Sequence, residues 1–235
     1  MLKLWRGFGL FFLGHMAWAY VWAVFVWAVM SGGRRGGKLF VPAILMLGVA
    51  PDVDLFFGSF GVVHHTFTHS FFFWLVMFAP FLLFFRQRSI PYFAAVVQHF
   101  AFGDLLVGNV MILWPFSSSY FGFNFAMPSL LDVALETAGL LLAAGIVIFN
   151  GDLRRLLSAD NRNVLMLLPF LALLTSMLFF AVDWPIVPLV AYVWSRKSLM
   201  AIVLGHMILV TFLAVSAAQG LRASKQKTVP TSKTA

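Results

Sequence analysis

Seven apolar stretches, separated by short basic clusters, decide what environment this chain can fold in. They cover residues 7–30, 39–50, 69–85, 90–114, 130–149, 164–182 and 199–218. A transmembrane helix needs about 20 predominantly apolar residues, and six of the stretches reach or approach that length. With 62% hydrophobic and 10% charged residues among 235, the chain lacks the polar surface of a soluble domain. We therefore expect an all-α, polytopic membrane bundle of six or seven helices, forming one domain over residues 1–218.

The second apolar stretch is too short to cross a bilayer. Its twelve residues, 39–50, are followed by Pro51 and Asp52, and at 1.5 Å per residue they extend about 18 Å. The pattern predicts a broken second helix. Irregular backbone at that depth is tolerated only where it is buried in protein or lines a wet cavity. The break after residue 50 is thus an indication of a site.

The net charge of +8 is distributed in clusters between the apolar stretches rather than along one face. Such clusters indicate membrane topology, and we expect no nucleic-acid partner. The clusters contain Arg34, Arg35, Lys38, Arg86, Arg88, Arg154, Arg155, Arg162, Arg222, Lys225, Lys227 and Lys233. They occupy alternate connections, whereas loops 51–68 and 115–129 have no Lys or Arg, so the clusters are predicted to be cytoplasmic. Residues 219–235 are predicted to form a disordered basic cytoplasmic tail.

Several side chains of metal-ligand type lie inside or beside the apolar stretches. They are His15, Asp52, Asp54, His64, His69, His99 and Asp104. Ionisable groups are costly in hydrocarbon and usually mark function there. The chain has no cysteine, so only imidazole and carboxylate donors are available, which suit Zn, with Mn as an alternative. The set predicts one or two divalent metal ions bound within the membrane.

Depth along the helices supports one shared site. Counted at 1.5 Å per residue through a core about 30 Å thick, the candidate ligands lie about 15 to 25 Å above the cytoplasmic face. Glu136 falls in the same layer when counted from the outer end of its helix. Residues from separate segments are therefore expected to meet in the outer-leaflet half of the bilayer.

Two pairs of candidate ligands have an unusual spacing. His64 and His69 are five residues apart, about 140° on a regular helix, so a turning backbone must bring them together. His99 and Asp104 are also five apart, and Gly103 between them would permit a local bulge. Thr68 and Ser70 are candidates for capping the third helix or orienting a ligand.

The ordered motifs resemble those of the YdjM-like family of membrane-bound proteins. The residues that carry this resemblance are Gly14-His15, Pro51-Asp52-Val53-Asp54, the run from His64 to Ser70, His99 with Asp104, and Trp114-Pro115-Phe116-Ser117. The family is described as predicted metal-dependent hydrolases of the prokaryotic inner membrane. The resemblance covers about residues 10–120 and implies Asp52, Asp54, His64, His69 and His99 as ligands. His65 stands where the family usually has Arg, and Asp104 lies one residue further from His99 than is usual.

We interpret the chain as a metal-dependent hydrolase acting on a phosphoester, or another ester, of a lipid or lipid-linked substrate. A metal-activated water would attack, and Asp104 or Glu136 would accept its proton, with His65 as a possible proton shuttle. Two alternatives remain open. A transporter or channel for metal ions or protons would also place polar residues near the midplane. A noncatalytic protein could use the metal only to join its helices. The oligomeric state is not predicted.

Overall fold

The computed structural model describes residues 12–33, 39–123, 130–183 and 197–228. The expected all-α architecture is confirmed for this part of the chain. Its α-helices are α1 Phe12–Met30, α2 Val41–Val49, α3 Phe71–Phe85, α4 Ile90–Gln98, α5 Leu105–Val107, α6 Leu130–Phe149, α7 Asp152–Leu156, α8 Leu167–Asp183 and α9 Lys197–Thr228. Short 3₁₀ helices cover Ala50–Phe60, Phe67–His69, Arg86–Ser89 and Asn161–Met166, and a π-helix covers His99–Asp104.

Helix α1 lies at the centre of the bundle and packs against α2, α4 and α6. Small residues allow the close approach, since a Cβ on Gly48 of α2 would lie 2.6 Å from the Cβ of Ala19. The helix is apolar on all sides, as expected for a helix surrounded by others. Its central position carries His15 into the interior, where the side chain is 1% exposed.

The predicted break after the second apolar stretch is present. Helix α2 ends at Val49, and the chain continues as the 3₁₀ helix Ala50–Phe60 that carries the Pro-Asp motif. Further along, α3 and α4 fold back on each other around a turn at Arg86, whose φ is 50°. The rings of Phe78 and Phe93 lie 5.4 Å apart across this hairpin.

Three described stretches are long and apolar enough to cross a membrane, by length and composition, which is fewer than the six or seven expected. They are Phe12–Met30, Phe71–Val107 and Val203–Gln226. The second contains the α3–α4 hairpin, so it is two antiparallel arms rather than one long helix. Val133–Phe149 and Asn161–Thr175 are apolar but shorter. The number is smaller because Phe71–Val107 contains two of the expected crossings and because Val41–Val49, Val133–Phe149 and Asn161–Thr175 are too short.

Arg88 and Arg155 lie at one end of the bundle, which is here called the basic end. Arg155 donates from Nη2 to the carbonyl of Leu39 at 3.1 Å, and the Phe40 amide donates to the Tyr92 hydroxyl at 2.9 Å. These bonds bring together the starts of α2 and α4 and helix α7, next to Arg88. The predicted cluster at residues 34–38 lies outside the described residues.

Helix α9 continues to Thr228, past residue 218, where the sequence suggested a disordered tail. The extension packs against the 3₁₀ helix Asn161–Met166. Ala217 and Ala223 are buried there, and Gly220 lies directly against the backbone of Val164. Small residues thus give this polar-looking segment a surface on which to pack. Residues 229–235 lie outside the described part.

Candidate metal centre

The predicted ligand residues converge in the interior of the bundle. His15 comes from α1, Asp52 and Asp54 from the 3₁₀ helix after α2, and His64 and His69 from the segment before α3. His99 and Asp104 occupy the two ends of the π-helix. Except for the His64 side chain, which is 20% exposed, all of these side chains are buried. The structure therefore brings together all seven residues that the sequence singled out.

Four donor atoms form the tightest part of this cluster: His69 Nε2, His99 Nε2, Asp52 Oδ1 and Asp104 Oδ2. The two imidazole nitrogens are 3.3 Å apart. Asp52 Oδ1 lies 3.5 Å from the His69 nitrogen and 3.3 Å from that of His99. Asp104 Oδ2 lies 3.4 Å and 3.1 Å from the same two nitrogens. Five of the six distances within this set thus fall between 3.1 and 3.5 Å.

These distances match those between ligands around a tetrahedral metal ion. Ligands about 2.0–2.1 Å from zinc at the corners of a tetrahedron are about 3.3–3.4 Å from one another. One further observation fits a cation: Asp104 Oδ2 is buried and has no hydrogen-bond donor among the described residues. A buried, unsatisfied carboxylate oxygen is expensive, and a metal ion would satisfy it. The donor set can therefore hold a divalent metal ion.

Backbone and side-chain partners direct the imidazole nitrogens toward the space between the four donor atoms. His99 Nδ1 lies 2.7 Å from the carbonyl of Gly48. Because a carbonyl only accepts, Nδ1 must carry the proton, which leaves the Nε2 lone pair facing the other donors. A histidine held in this way by its second nitrogen is the usual arrangement of a metal ligand. The sequence did not predict this role of the Gly48 carbonyl, because every residue has a backbone carbonyl and the residue type therefore carries no signal.

Asp54 plays the same orienting part for two other histidines. Its Oδ1 lies 2.7 Å from His64 Nδ1 and its Oδ2 lies 3.4 Å from His69 Nδ1. The Thr68 hydroxyl donates to Asp54 Oδ2 at 2.6 Å and lies 3.0 Å from His69 Nδ1. Burial opposes ionisation of Asp54, but the hydrogen bonds from His64 and His69 outweigh it and hold its pKa below the usual range. Asp54 thus faces the Nδ1 side of both rings, while Asp52 faces the Nε2 side.

The segment before α3 turns sharply enough to bring His64 and His69 together. His65 has a φ of 65°, and its carbonyl accepts from the Met111 amide at 3.0 Å. The ring centroids of His64 and His69 consequently lie 5.0 Å apart. Ser70 then caps α3 by accepting from the amides of Phe72 and Phe73. The predicted roles of Ser70 in capping and of Thr68 in orienting a ligand both match this geometry.

His15 extends the cluster on the α1 side. Its ring stacks on that of His99 with centroids 3.7 Å apart, and its Nε2 lies 3.4 Å from Asp104 Oδ1. Asp104 therefore presents one oxygen to His15 and the other to His69 and His99. A carboxylate arranged in this way is suited to bridging two ions.

The three residues proposed from sequence for proton transfer occupy different settings. Asp104 lies within the donor set. Glu136 is 1% exposed and faces α1, where a Cβ on Gly14 would lie 2.5 Å from Glu136 Oε1. Burial, reinforced by the neighbouring His64, lowers the pKa of His65 to about 3. The role of His65 as a proton shuttle stays a prediction.

Comparisons of the chain with protein-family models, with curated proteins and with solved structures give no match.

Proposed function

We propose that this chain is an integral membrane, metal-dependent hydrolase whose substrate is a lipid or lipid-linked phosphoester. The observation that carries the proposal is a set of four buried donor atoms, five of whose separations match those between ligands of one metal ion. Asp52, His69, His99 and Asp104 would hold the ion, with zinc as the first choice and manganese as the second, and catalysis would require a water molecule as a further ligand. When bound, the metal would lower the pKa of a water molecule and so supply a nucleophile at neutral pH.

The resemblance to YdjM-like proteins agrees with this proposal but does not carry it. If the chain crosses the membrane six or seven times, the metal centre would lie in the outer-leaflet half of a prokaryotic plasma membrane, with the basic end in the cytoplasm. Additional crossings would come from the shorter apolar helices Val133–Phe149 and Asn161–Thr175.

His64 is the best-placed group for moving a proton. Its Nδ1 is held by Asp54 at 2.7 Å, and its Nε2 faces Asp52 Oδ1 at 3.8 Å. Nε2 is therefore directed at the donor set, and the side chain, at 20%, is the most exposed of the cluster. We therefore assign proton acceptance to His64 in preference to Asp104, which the ion would engage, and to Glu136.

A lipid-derived substrate fits the segments that carry the site. The 3₁₀ helix Ala50–Phe60, which carries Asp52 and Asp54, exposes Val53, Phe57 and Phe60, and the connection after α5 exposes Trp114 and Phe116. Loops 51–68 and 115–129 contain no Lys or Arg. An apolar and aromatic rim of this kind suits the membrane interface and a ligand that arrives from the bilayer.

The transporter alternative receives less support. A conducted ion would need polar positions on both sides of the cluster. Between the donor set and the basic end, the described core around α1 consists mainly of apolar residues such as Met16, Ala19 and Ala23. Gln98 is buried beside α1 and donates from Nε2 to the carbonyls of His15 and Ala95, and the next polar pair is Tyr20 with Asp152, at 2.7 Å. The scarcity of polar side chains in this core favours an enclosed site over a conduction path.

The test combines metal content with activity on the same detergent-purified samples. Wild type, Asp52→Ala and His69→Ala are analysed for bound metals and for hydrolysis of a phospholipid panel. His206→Gln, which changes a buried histidine outside the cluster, is the matched control. We expect stoichiometric metal and phosphoesterase activity in wild type and control, and loss of both in the two cluster variants.

Two other results would count against the enzyme. Metal that is lost in both cluster variants without any hydrolysis by wild type would leave a binding site and remove the catalytic claim. Metal uptake by proteoliposomes that depends on Asp52 and His69 would favour the transporter instead.

A further inference from the structure

A second feature of the molecule, between the donor set and the basic end, is an apolar groove that ends at an arginine. It lies between α2, α3, the start of α4 and α8, and has a volume of about 630 Å³. Its lining includes Met46, Leu47, Trp74, Met77, Phe81 and Leu168. Arg88, Ser89 and Tyr92 close one end. A volume of this size is in the range of ligand-binding pockets.

The dimensions of the groove match one leaflet of a bilayer. From Trp74 to Phe85 along α3, the lining extends about 17 Å at 1.5 Å per residue. Half of a hydrocarbon core about 30 Å thick is about 15 Å. A single extended acyl chain therefore fits the groove from the basic end to the middle of the bundle.

The charge at the end of the groove selects the headgroup. Arg88 is exposed, and among the described residues no carboxylate forms an ion pair with it. Arg86 precedes it in the same turn, which doubles the positive charge. Basic pockets between helices on the cytoplasmic side commonly hold anionic lipid headgroups.

We propose that this groove binds one anionic phospholipid of the leaflet at the basic end, with an acyl chain between α2 and α3 and the phosphate beside Arg88. The phosphate would then lie about 20 Å along α3 from His69, so this lipid is not the substrate of the proposed hydrolase. The inference needs the membrane location but not the catalytic activity.

The groove also touches the supports of the donor set. Leu47 precedes Gly48, whose carbonyl holds His99. Trp74 donates from Nε1 to the Thr68 carbonyl at 2.6 Å, and Thr68 holds Asp54. A bound acyl chain would therefore pack against Leu47 and Trp74, which adjoin the residues that orient the imidazoles.

The experiment measures retained lipid by native mass spectrometry after reconstitution of the full chain in vesicles of equal parts phosphatidylglycerol and phosphatidylethanolamine. Wild type is expected to retain one phosphatidylglycerol in preference to phosphatidylethanolamine. Arg88→Gln should reduce that preference about fivefold, the effect of one basic residue near an anionic surface. Arg154→Gln removes the same charge from an exposed position on α7 and should retain the wild-type preference.

A second variant tests the acyl-chain site itself. Ala43→Phe fills the groove from α2 and should abolish the retention of phosphatidylglycerol, while helix content and metal content stay at wild-type values. If this variant does not fold, the comparison of Arg88→Gln with Arg154→Gln decides the question alone. Equal retention of both lipids by wild type, equal losses in the two arginine variants, or occupation of the groove by a second copy of the chain would overturn the proposal.

Discussion

His99 and Asp104 lie five positions apart in the sequence, yet His99 Nε2 and Asp104 Oδ2 lie 3.1 Å apart. On a regular α-helix two residues at this spacing point in different directions. The π-helix His99–Asp104 removes the conflict, because its hydrogen bonds join residues five apart and so stack their side chains on one face. Both side chains can therefore face the same donor set.

Replacing Asp104 should remove metal binding without changing the fold. Asp104→Asn keeps the size of the side chain. It removes the negative charge and one of the two carboxylate oxygens, of which Oδ2 faces His69 and His99. Replacing a residue that only orients a ligand typically lowers metal affinity about 10- to 100-fold. We expect a larger loss of zinc affinity in Asp104→Asn. Titration with a competing zinc indicator measures this, with Asp152→Asn as the control. Equal affinities in the two variants would show that Asp104 is not a ligand.

Much of this site was predictable because depth and residue type both carry information. The rise per residue of a helix determines the depth of His15 and His99 along the bundle. Buried imidazoles and carboxylates at the same depth usually belong to one shared site. The broken second helix was predictable for a similar reason, since Pro51 and Asp52 end an apolar stretch that is too short to cross a bilayer.

The details of coordination were not predictable from residue types. Asp54 belongs to the Pro-Asp motif together with Asp52, and only the geometry shows that it faces Nδ1 atoms while Asp52 faces Nε2 atoms. The carbonyl of Gly48 is a backbone atom that any residue would supply. The described part of the chain holds three long apolar stretches, fewer than the six or seven expected, because hydropathy does not show where a helix ends or turns back, as at Val49 and Arg86.

Asp54 should behave as an orienting residue and not as a ligand. Asp54→Asn keeps one acceptor oxygen but weakens the hold on His64 and His69, so zinc affinity should fall about 10- to 100-fold rather than vanish. Competition titration against Asp52→Asn gives the comparison. If Asp54→Asn abolishes binding as completely as Asp52→Asn, Asp54 is itself a ligand.

Gly14 is required because the Glu136 carboxylate occupies the place of its missing side chain. Gly14→Ala would put a methyl group 2.5 Å from Glu136 Oε1, and overpacking of this kind costs about 1–3 kcal/mol. Thermal unfolding in detergent should therefore begin at a lower temperature. The double variant Gly14→Ala/Glu136→Ala removes the clash and should be more stable than the sum of the two single changes predicts. Additive losses would place the strain elsewhere.

Removal of the metal should destabilise the whole bundle, because the donor set joins the segment after α2, the segment before α3 and the π-helix, and His15 of α1 stacks on His99. An ion that binds only the folded chain contributes about 4 kcal/mol at a free concentration 1,000 times its Kd. A chelator should thus lower the unfolding temperature of wild type, and added zinc should restore it. His69→Ala lacks one of the donor nitrogens, so its unfolding temperature should respond to neither treatment. A chelator effect of equal size in His69→Ala would mean that the stabilising ion binds at a different place.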